Sequence, residues 1–550
     1  MKKSSRALLT VSDKTGIVSM AKNLVSLGWE IISTGGTGKV LSEAGVLFTE
    51  ISRVTGNPEA FGGRVKTLSF QIESAILYDR DRDREEAAKL GIFPIDLVVC
   101  NLYPFRQVWE RKADFDTLIE NIDIGGPTLI RSAAKNFKHV GVVTNPGDYD
   151  RIAEELRANK GSLTLGTKQI LMRKAFALTA DYDADIATAL EQQENLLSLR
   201  MTFSEGKALR YGENAHQKAW VFRPSSAPLG GRTGECFGPT PGLLSPSMNI
   251  LHGKELSYNN YLDIQGAISA VKELERPGCA VIKHTNPCGL AETSDLRSAF
   301  EAAWKGDPVS AFGSIISFNR RVKRDTVEFL DFRNPDKSKR KFVEIILAPE
   351  FDPDSIEYLK DSKNLRIIEF AHPEKPPSHD FRFVDGLLLQ QEVDDSLFET
   401  LESKTGNKLD DEARGLACFG IKASRLLKSN AIVVVREVAG KGYQMLGMGA
   451  GQPNRLVSTR LAVTKCRENL AEEAAVKGVD TPLHFKKEME RAILVSDGFF
   501  PFPDSVDECA NAGIKTIVQP GGSIRDDDVI RRSAELGITM IFTGTRHFKH

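Results

Sequence analysis

The sequence has no surplus of charge of either sign, no closely paired cysteines and no long apolar run, and each of these gaps removes a class of protein. Across 550 residues, 73 Lys plus Arg face 74 Asp plus Glu. No global field therefore exists to hold a nucleic acid or an anionic membrane, although a local basic pocket is allowed. The seven cysteines, Cys100, Cys236, Cys279, Cys288, Cys418, Cys466 and Cys509, form no Cys-x-x-Cys pair and are odd in number. That fits reduced thiols better than a disulfide framework or zinc. The start, Met1 to Arg6, leads into only a few apolar residues before Ser12-Asp13-Lys14, too few for a signal-peptide core. No later stretch is long enough to span a bilayer. A cytoplasmic protein with neither nucleic-acid nor membrane partners is expected, and at this length two to four domains.

What is present is alternation. Ala7 to Val11 reads as a strand, Ile17, Met20, Ala21 and Leu24 as one face of a helix, and Trp29 to Ile32 as a second strand. Further apolar runs at Asp96 to Cys100 and Val140 to Thr144 extend the pattern. The fold class is α/β: a mostly parallel sheet covered by helices, with its ligand beyond the strand ends. A helical stretch from about Lys168 to Leu197 closes this unit, so a boundary near residue 199 and domains at 1–199 and 200–550 are expected. The Gly/Pro/Ser-rich segment Ser225 to Pro241 reads as irregular chain inside the second domain. Leu262 to Phe318 and Ala431 to Gly544 share a strand–loop–helix layout, compatible with an internal duplication though no residue-level repeat is visible. The charged stretches Lys323 to Lys341 and Ser403 to Arg414 read as solvated insertions.

The run Ile282-Lys283-His284-Thr285-Asn286-Pro287-Cys288-Gly289 sets a cation beside a proton carrier where a buried strand ends. Asn286-Pro287 is expected to force the backbone out of that strand, which breaks the pleat and lets Lys283 and His284 reach one substrate. An arbitrary Lys-His pair is more often an exposed charge and a structural histidine; the neighbouring motifs alter that balance. Gly35-Gly36 between strand and helix lets backbone approach an anion, and Ser33, Thr34 and Thr37 offer hydroxyl donors. The loop has neither the Walker pattern nor Gly-x-Gly-x-x-Gly. Ser12-Asp13-Lys14-Thr15-Gly16 occupies the equivalent place after the first strand, and two such loops favour a phosphorylated ligand over a plain tight turn. Arg64-Val65-Lys66-Thr67, Asn101-Leu102-Tyr103 and Asp123-Ile124-Gly125-Gly126, with Lys135 downstream, add groups able to steer proton transfers. Leu209 to Gln217 is dense in hydrogen-bonding side chains around Gly212, otherwise a polar turn; Gly447 to Arg455 is glycine-rich and ends in an arginine, otherwise a hairpin-like loop; Phe499, Phe500 and Phe502 follow the strand Ala492 to Val495 and are either core or stacking faces.

Taken in order, Ser-Thr-Gly-Gly-Thr, Arg-Val-Lys-Thr, Asp-Ile-Gly-Gly, Leu-Arg-Tyr-Gly-Glu-Asn, Lys-His-Thr-Asn-Pro-Cys-Gly and Gly-Ala-Gly-Gln closely resemble the bifunctional family that joins AICAR formyltransferase to IMP cyclohydrolase. The likeness runs from about Ala7 to His550. It implies a methylglyoxal-synthase-like parallel-sheet domain for the cyclohydrolase, then a duplicated cytidine-deaminase-like domain for the transferase, with transferase sites completed across a homodimer. It also implies 10-formyltetrahydrofolate as co-substrate, no catalytic metal, and room for a structural potassium ion. AICAR's 5-amino group attacks the formyl carbon, and formyl-AICAR (FAICAR) then closes to IMP with loss of water. His284 is the expected base for the weakly nucleophilic amine and Lys283 the partner of the tetrahedral oxyanion.

By the same resemblance, Arg210, Tyr211, His284, Gly313, Glu344, Asn430, Arg455, Phe499 and Arg546 bind AICAR, its phosphate going most naturally to an arginine, and Gln452, Asp504, Ser523 and Ile524 surround the folate. In the cyclohydrolase, Ser12, Lys14, Thr15, Ser33, Thr34, Gly35, Gly36, Thr37, Arg64, Val65, Lys66, Thr67, Asn101, Leu102, Asp123, Ile124, Gly125 and Gly126 bind the nucleotide. Lys66, Tyr103, Asp123 and Lys135 form its catalytic group, Lys135 accepting a proton while Lys66 and Tyr103 stabilise the oxyanion. Ala215 stands where relatives have proline, and the aromatic Phe-Ala-Trp sequence is missing before Lys428-Ser429-Asn430. A rival zinc deaminase would need a second cysteine after Pro287-Cys288 and an upstream His-x-Glu, both absent. A non-catalytic nucleotide sensor would leave the second domain's equipment unused.

Overall fold

The computed structural model describes residues 5–58, 67–196, 198–224, 248–371, 379–406, 408–438 and 442–550. Two compact units divide the chain, the first comprising Met1–Ser204 and Pro224–Cys236 and the second Glu205–Arg223 and Phe237–His550. Among the described residues no helix is long and apolar enough to cross a membrane.

In the first unit β1 (Arg6–Thr10), β2 (Glu30–Ser33), β3 (Thr49–Glu50), β4 (Leu97–Cys100) and β5 (Gly141–Val143) form a parallel sheet in the order β3-β2-β1-β4-β5. Ala7, Leu8, Leu9, Val98 and Val99 are fully buried, because helices cover both faces of the sheet and leave no side for polar residues. The helix Ile17–Ser26 turns Ile17, Met20, Ala21 and Leu24 inward, as its spacing requires. The closing helix runs Leu165–Gln193, started by Thr164, whose hydroxyl accepts the Thr167 N–H.

The second unit is built on twelve strands. After the ribbon of β6 (Phe203–Ala208) and β7 (Trp220–Pro224) come β8 (Met248–His252), β9 (Gly278–Lys283), β10 (Asn286–Thr293), β11 (Ser314–Phe318), β12 (Val343–Ala348) and β13 (Arg366–Phe370). The hairpin β14 (His379–Val384) with β15 (Leu387–Glu392) precedes β16 (Glu402–Ser403), β17 (Ile432–Glu437), β18 (Gly442–Gly449), β19 (Ile493–Ser496), β20 (Thr516–Gln519) and β21 (Thr539–Phe542). The large sheet reads β8-β13-β12-β11-β9-β10 on one side and β18-β17-β19-β20-β21-β16 on the other. The order and the parallel or antiparallel sense of each pairing repeat across the β10–β18 junction. The unit is a duplicated half-sheet, and the repeat covers more chain on the first side than Leu262 to Phe318.

Glycine marks equivalent contacts in the two halves. A Cβ on Gly289 in β10 would lie 1.8 Å from the Ala303 carbonyl of the helix Leu296–Trp304. On Gly449 in β18 it would lie 2.0 Å from the Ser458 carbonyl of the helix Arg455–Lys477. Gly447 and Gly449 therefore belong to a strand and serve helix packing. The glycine-rich run 447–455 is not an anion loop along its whole length.

Two other expectations change. Asn286-Pro287 does not expel the chain from the sheet: both residues belong to β10, with Pro287 at a register shift that removes the need for its missing N–H. The first charged stretch is not simply solvated, since Val327 and Leu330 are fully buried; in the second no described residue is buried, and exposed Asp410 caps the helix Asp411–Arg425 by accepting the Ala413 N–H.

Gly289→Ala is expected to destabilise the second unit by about 1–3 kcal/mol or more, since backbone must move to admit the methyl, and thermal unfolding measures it. A second expectation concerns Glu73, whose carboxyl burial pushes its pKa upward while Ser132 Oγ donates to it at 2.6 Å. Unfolding releases that carboxyl to its ordinary titration, so the native-state penalty is absent at low pH and develops as pH rises. Glu73→Gln should raise Tm at pH 7, and the gain should vanish below about pH 4.5.

Candidate active sites

In the first unit the C-terminal ends of β2, β1 and β4 supply three adjoining loops, as ligand sites on parallel sheets require. Thr34 is the N-cap of the helix Gly35–Glu43 but gives no side-chain cap bond, so the first helical N–H groups face the loop region uncapped by it. Lys14 Nζ folds over its own loop, donating to Val11 O and, at 3.1 Å, to Ser12 O. A Cβ on Gly36 would lie 3.9 Å from Nζ, so the ammonium stands beside this helix start. A cation next to the positive end of a helix is favourable only with an anion between them, which is the electrostatics of a phosphate cradle.

The hydroxyls foreseen as ligand donors divide. Ser33 Oγ donates to Leu9 O at 2.8 Å, and Thr37 Oγ1 accepts Val11 N–H at 3.0 Å while donating to Val11 O at 3.1 Å. Both are buried and hold β1 in place, so neither is a free donor to ligand. Asn101 acts similarly: Oδ1 accepts Ser12 N–H at 2.5 Å and Asp13 N–H at 2.9 Å, and Nδ2 donates to Asp13 O at 3.0 Å. It shapes the Ser12–Thr15 loop, in which Asp13 Oδ1 takes the Thr15 hydroxyl at 2.7 Å.

Asp123 is the centre of the remaining group. Its Oδ1 accepts Gly126 N–H at 2.8 Å and its Oδ2 accepts Tyr103 N–H at 3.3 Å. Its own N–H goes to the Tyr182 hydroxyl at 2.8 Å, and burial pushes that phenol up to about 12, keeping it able to donate to Asn121 O. Side chains at Gly125 and Gly126 would collide with Thr67 Oγ1 at 2.7 Å and Asp123 Oδ2 at 2.6 Å, so the glycines bring these groups together, with Leu102 packed at the same place and Ile124 exposed. Arg64, Val65 and Lys66 lie outside the described residues. Lys135 is the last residue of the helix Gly125–Lys135 that the two glycines begin.

In the second unit, one edge of the twelve-stranded sheet collects the residues foreseen for the other site. Lys283 ends β9, Gly313 precedes β11 and Glu344 opens β12; Gln452 follows β18, Asn430 precedes β17, and Phe499, Ser523 and Arg546 follow β19, β20 and β21. Strand direction explains this, because β9 runs against β11 and β17 against β19, so ends opposite in chain sense fall on the same side.

Lys283 Nζ donates to Phe312 O at 2.8 Å and Gly313 O at 3.2 Å. Lys283 and Asn286 pair across the hairpin, leaving His284 and Thr285 as its two central residues. Both have positive φ, 50° and 65°, the arrangement of a type I′ turn, which strains a threonine by about 1–3 kcal/mol. The pleat is broken by this turn, not by the proline. Glu344 pairs with Arg366 Nη1 at 3.8 Å and accepts from Asn260 at 3.4 Å. Burial pushes the Arg366 guanidinium's pKa down, opposed by Glu344, with Arg210 and Tyr211 close enough to act on it. Arg210 lies over the Tyr211 ring at 5.3 Å. The turn that follows closes without proline at 215: Gly212 N–H reaches Gln217 O at 2.8 Å.

Beside the hairpin, Lys428 N–H reaches Asn286 Oδ1 at 3.4 Å, and two residues later Asn430 borders a cavity of about 410 Å³. Phe499, Phe502 and Phe548 line it together with Arg455 and Asp504, whereas Phe500 is core. Arg455 is 7% exposed and already paired, Nη1 with Ser496 Oγ at 2.8 Å and Asp497 Oδ1 at 2.5 Å, Nη2 with Asn430 Oδ1 at 2.6 Å. It is a neutralised strut, not the bare phosphate anchor expected of an arginine. Arg546 stacks on Phe548 at 4.4 Å; Ser523 and the fully exposed Ile524 stand on the loop after β20.

Sequence reasoning missed Asp263, Arg366, Asp497 and Phe548. Asp497 lies two residues before Phe499, next to the aromatic run; the other three have no local signal, being isolated on a helix, a strand start and the chain's last turn. Among the described residues one group of three metal-capable side chains occurs, Asp79, Asp81 and His139, with no cysteine in it. Cys288 is buried, its thiol pushed up to about 12 by burial and donating to Val281 O at 3.4 Å, which does not suit a zinc thiolate.

A lysine beside a helix start on one sheet edge and a Lys-His turn near an aromatic-lined cavity on another are arrangements suited to phosphorylated, planar ligands. The family model described as AICARFT/IMPCHase bienzyme matches residues 133–465, and that of the MGS-like domain matches residues 16–128. "Bifunctional purine biosynthesis protein PurH" of Persephonella marina is 40% identical over 556 residues, 99% of this chain and 99% of its own. The protein of the same description from Lactobacillus acidophilus is 42% identical over 558 residues, covering 99% and 100%. A solved structure described as "Crystal structure of ForH" is 37% identical, with 34% of this chain and 100% of its own covered at a TM-score of 0.31. The chain belongs to the AICARFT/IMPCHase bienzyme family.

Asp497→Asn is expected to leave the Arg455 charge buried without compensation and to destabilise the second unit by about 3–5 kcal/mol, read as a lowered Tm or denaturant midpoint.

Proposed function

We propose that the two reactions run on separate units, ring closure on residues 1–199 and formyl transfer on residues 200–550. The chain is a bifunctional enzyme of purine biosynthesis, an AICAR formyltransferase and IMP cyclohydrolase whose formyl donor is 10-formyltetrahydrofolate. The single sheet edge that gathers Lys283, His284, Glu344, Asn430 and Phe499 is the observation that supports the second assignment.

There, His284 takes the proton from AICAR's 5-amino group as the new bond to the formyl carbon forms. Lys283 has three N–H donors and gives two to carbonyls, leaving one for the tetrahedral oxyanion. With Arg455 held by Asp497, the exposed Arg210 and Arg546 receive the substrate phosphate, while Tyr211, Gly313, Glu344, Asn430 and Phe499 surround the remainder. The aromatic-walled cavity takes the folate, with Asp504, Gln452, Ser523 and Ile524 around it.

In the first unit the Lys14 ammonium and the helix start at Gly35 and Gly36 hold the FAICAR phosphate. The base lies toward Thr67, Leu102 and Gly125. Lys66 and Tyr103 stabilise the carbonyl oxygen under attack, and Lys135 accepts the carboxamide proton, with Asp123 completing the group. Because nucleophile and formyl group share one ring, orientation supplies much of the acceleration. The working form is a cytoplasmic homodimer with transferase sites completed across the interface, as the resemblance implies; a zinc deaminase finds no support in the cysteine environment.

Purified protein mixed with AICAR and 10-formyltetrahydrofolate should release tetrahydrofolate and IMP. His284→Ala should lower formyl transfer by about 10²–10⁴-fold and leave closure of supplied FAICAR at the parent rate. Equal loss of both would contradict separate sites.

A further inference from the structure

Asp263 lies on the helix Tyr258–Lys272 and forms no part of the assignments above, yet it touches the hairpin at its least comfortable point. Its Oδ1 accepts the Thr285 N–H at 2.7 Å. Three residues on, on the same helix face, a Cβ at Gly266 would sit 3.0 Å from Thr285 O. The helix therefore supplies both a hydrogen-bond acceptor and a gap at the turn. Asn286 Nδ2 closes the other side by donating to His284 O at 2.9 Å. Neither His284 nor Thr285 is a glycine or asparagine, the residues that adopt positive φ unaided, so outside contacts must hold them there.

Charged residues from several elements surround this turn, Lys428 among them, whose N–H reaches Asn286 Oδ1 at 3.4 Å. Lys283 comes from β9, Glu344 from β12 and Asp263 from the helix, and Asp263 interacts electrostatically with His284, Glu344 and Lys283. Glu344 is in turn paired with Arg366 of β13. Burial raises the pKa of the Asp263 carboxyl, with the Thr285 N–H opposing that shift.

We propose that Asp263 is a positioning residue for formyl transfer: its carboxylate fixes the left-handed turn that presents His284 and sets a negative charge next to the imidazole and the Lys283 ammonium. The inference rests on the reading of His284 as the base. Two roles are thereby separable, a backbone clamp and a charge that favours the imidazolium formed when the amine proton is taken.

Three variants divide them: Asp263→Asn, which retains an acceptor but no charge; Asp263→Ala, which retains neither; and Asp263→Ala combined with Thr285→Gly, whose glycine adopts positive φ without help. Closure of supplied FAICAR serves as the folding control and should stay at the parent rate in all three. Formyl transfer kcat should fall between about ten- and a hundredfold in Asp263→Asn and Asp263→Ala, with little change in KM for AICAR. In Asp263→Asn the acid limb of kcat/KM should move to lower pH, because the base then stays deprotonated more easily. Thr285→Gly should restore part of the kcat lost in Asp263→Ala. An unmoved acid limb together with no restoration by Thr285→Gly would overturn the proposal, as would parent-level kcat in Asp263→Ala. Full activity of His284→Ala would instead overturn the underlying reading of the base, so the two failures are distinguishable.

Discussion

The short antiparallel pairing of β10 with β18 governs the second unit. It spans Ala291 to Thr293 against Gln444 to Gly442 and joins two half-sheets that repeat one another. Gly442 makes it attainable, at φ 145° and with no room for a Cβ against Glu292 O at 1.9 Å. Buried Gln444 secures it, donating to Ala302 O at 2.7 Å from across the junction. Asn469 adds bonds to Gly306 O and Leu446 O, one on each half. Because the joining strands are antiparallel, equivalent ends of the two repeats fall on opposite edges, and one edge receives the starts of β11 to β13 together with the ends of β19 to β21. Duplication thereby yields an asymmetric site.

Charge is handled oppositely at the two places where an anion is expected. In the first unit the Lys14 ammonium and a helix start face the same space, and a bound phosphate is the counter-charge that makes this arrangement favourable. In the second unit the most deeply buried arginine of the site, Arg455, carries its own carboxylate, Asp497. Such a pair orders Asn430 and the surrounding loops without contributing a strong net attraction to ligand. Exposed arginines stacked on aromatic rings, Arg210 on Tyr211 and Arg546 on Phe548, carry no such carboxylate partner in these contacts and are the ones proposed for the phosphate.

The helix–strand alternation of the first unit was legible because its strands are continuous apolar runs and its helices carry regular inward stripes. The Lys283-His284 element was legible as a residue pattern but not as shape: proline suggested an exit from the sheet, whereas the structure has a two-residue hairpin with Thr285 at positive φ, bonded by Asp263, twenty-two residues earlier. Ser33 and Thr37 looked like ligand donors for a similar reason. Whether a hydroxyl faces a ligand or a neighbouring strand is decided by the sheet order, which places β1 beside β2.

Local pattern and motif order by themselves determined the α/β class and the family. Those depend on residue type and spacing along the chain, which the sequence states directly. Tertiary structure alone decided that Arg455 is neutralised, that the glycines of β10 and β18 serve helix packing, and that Asp263 holds the hairpin. Each of these depends on a contact between residues distant in sequence, and such contacts exist only once the strands have chosen their neighbours.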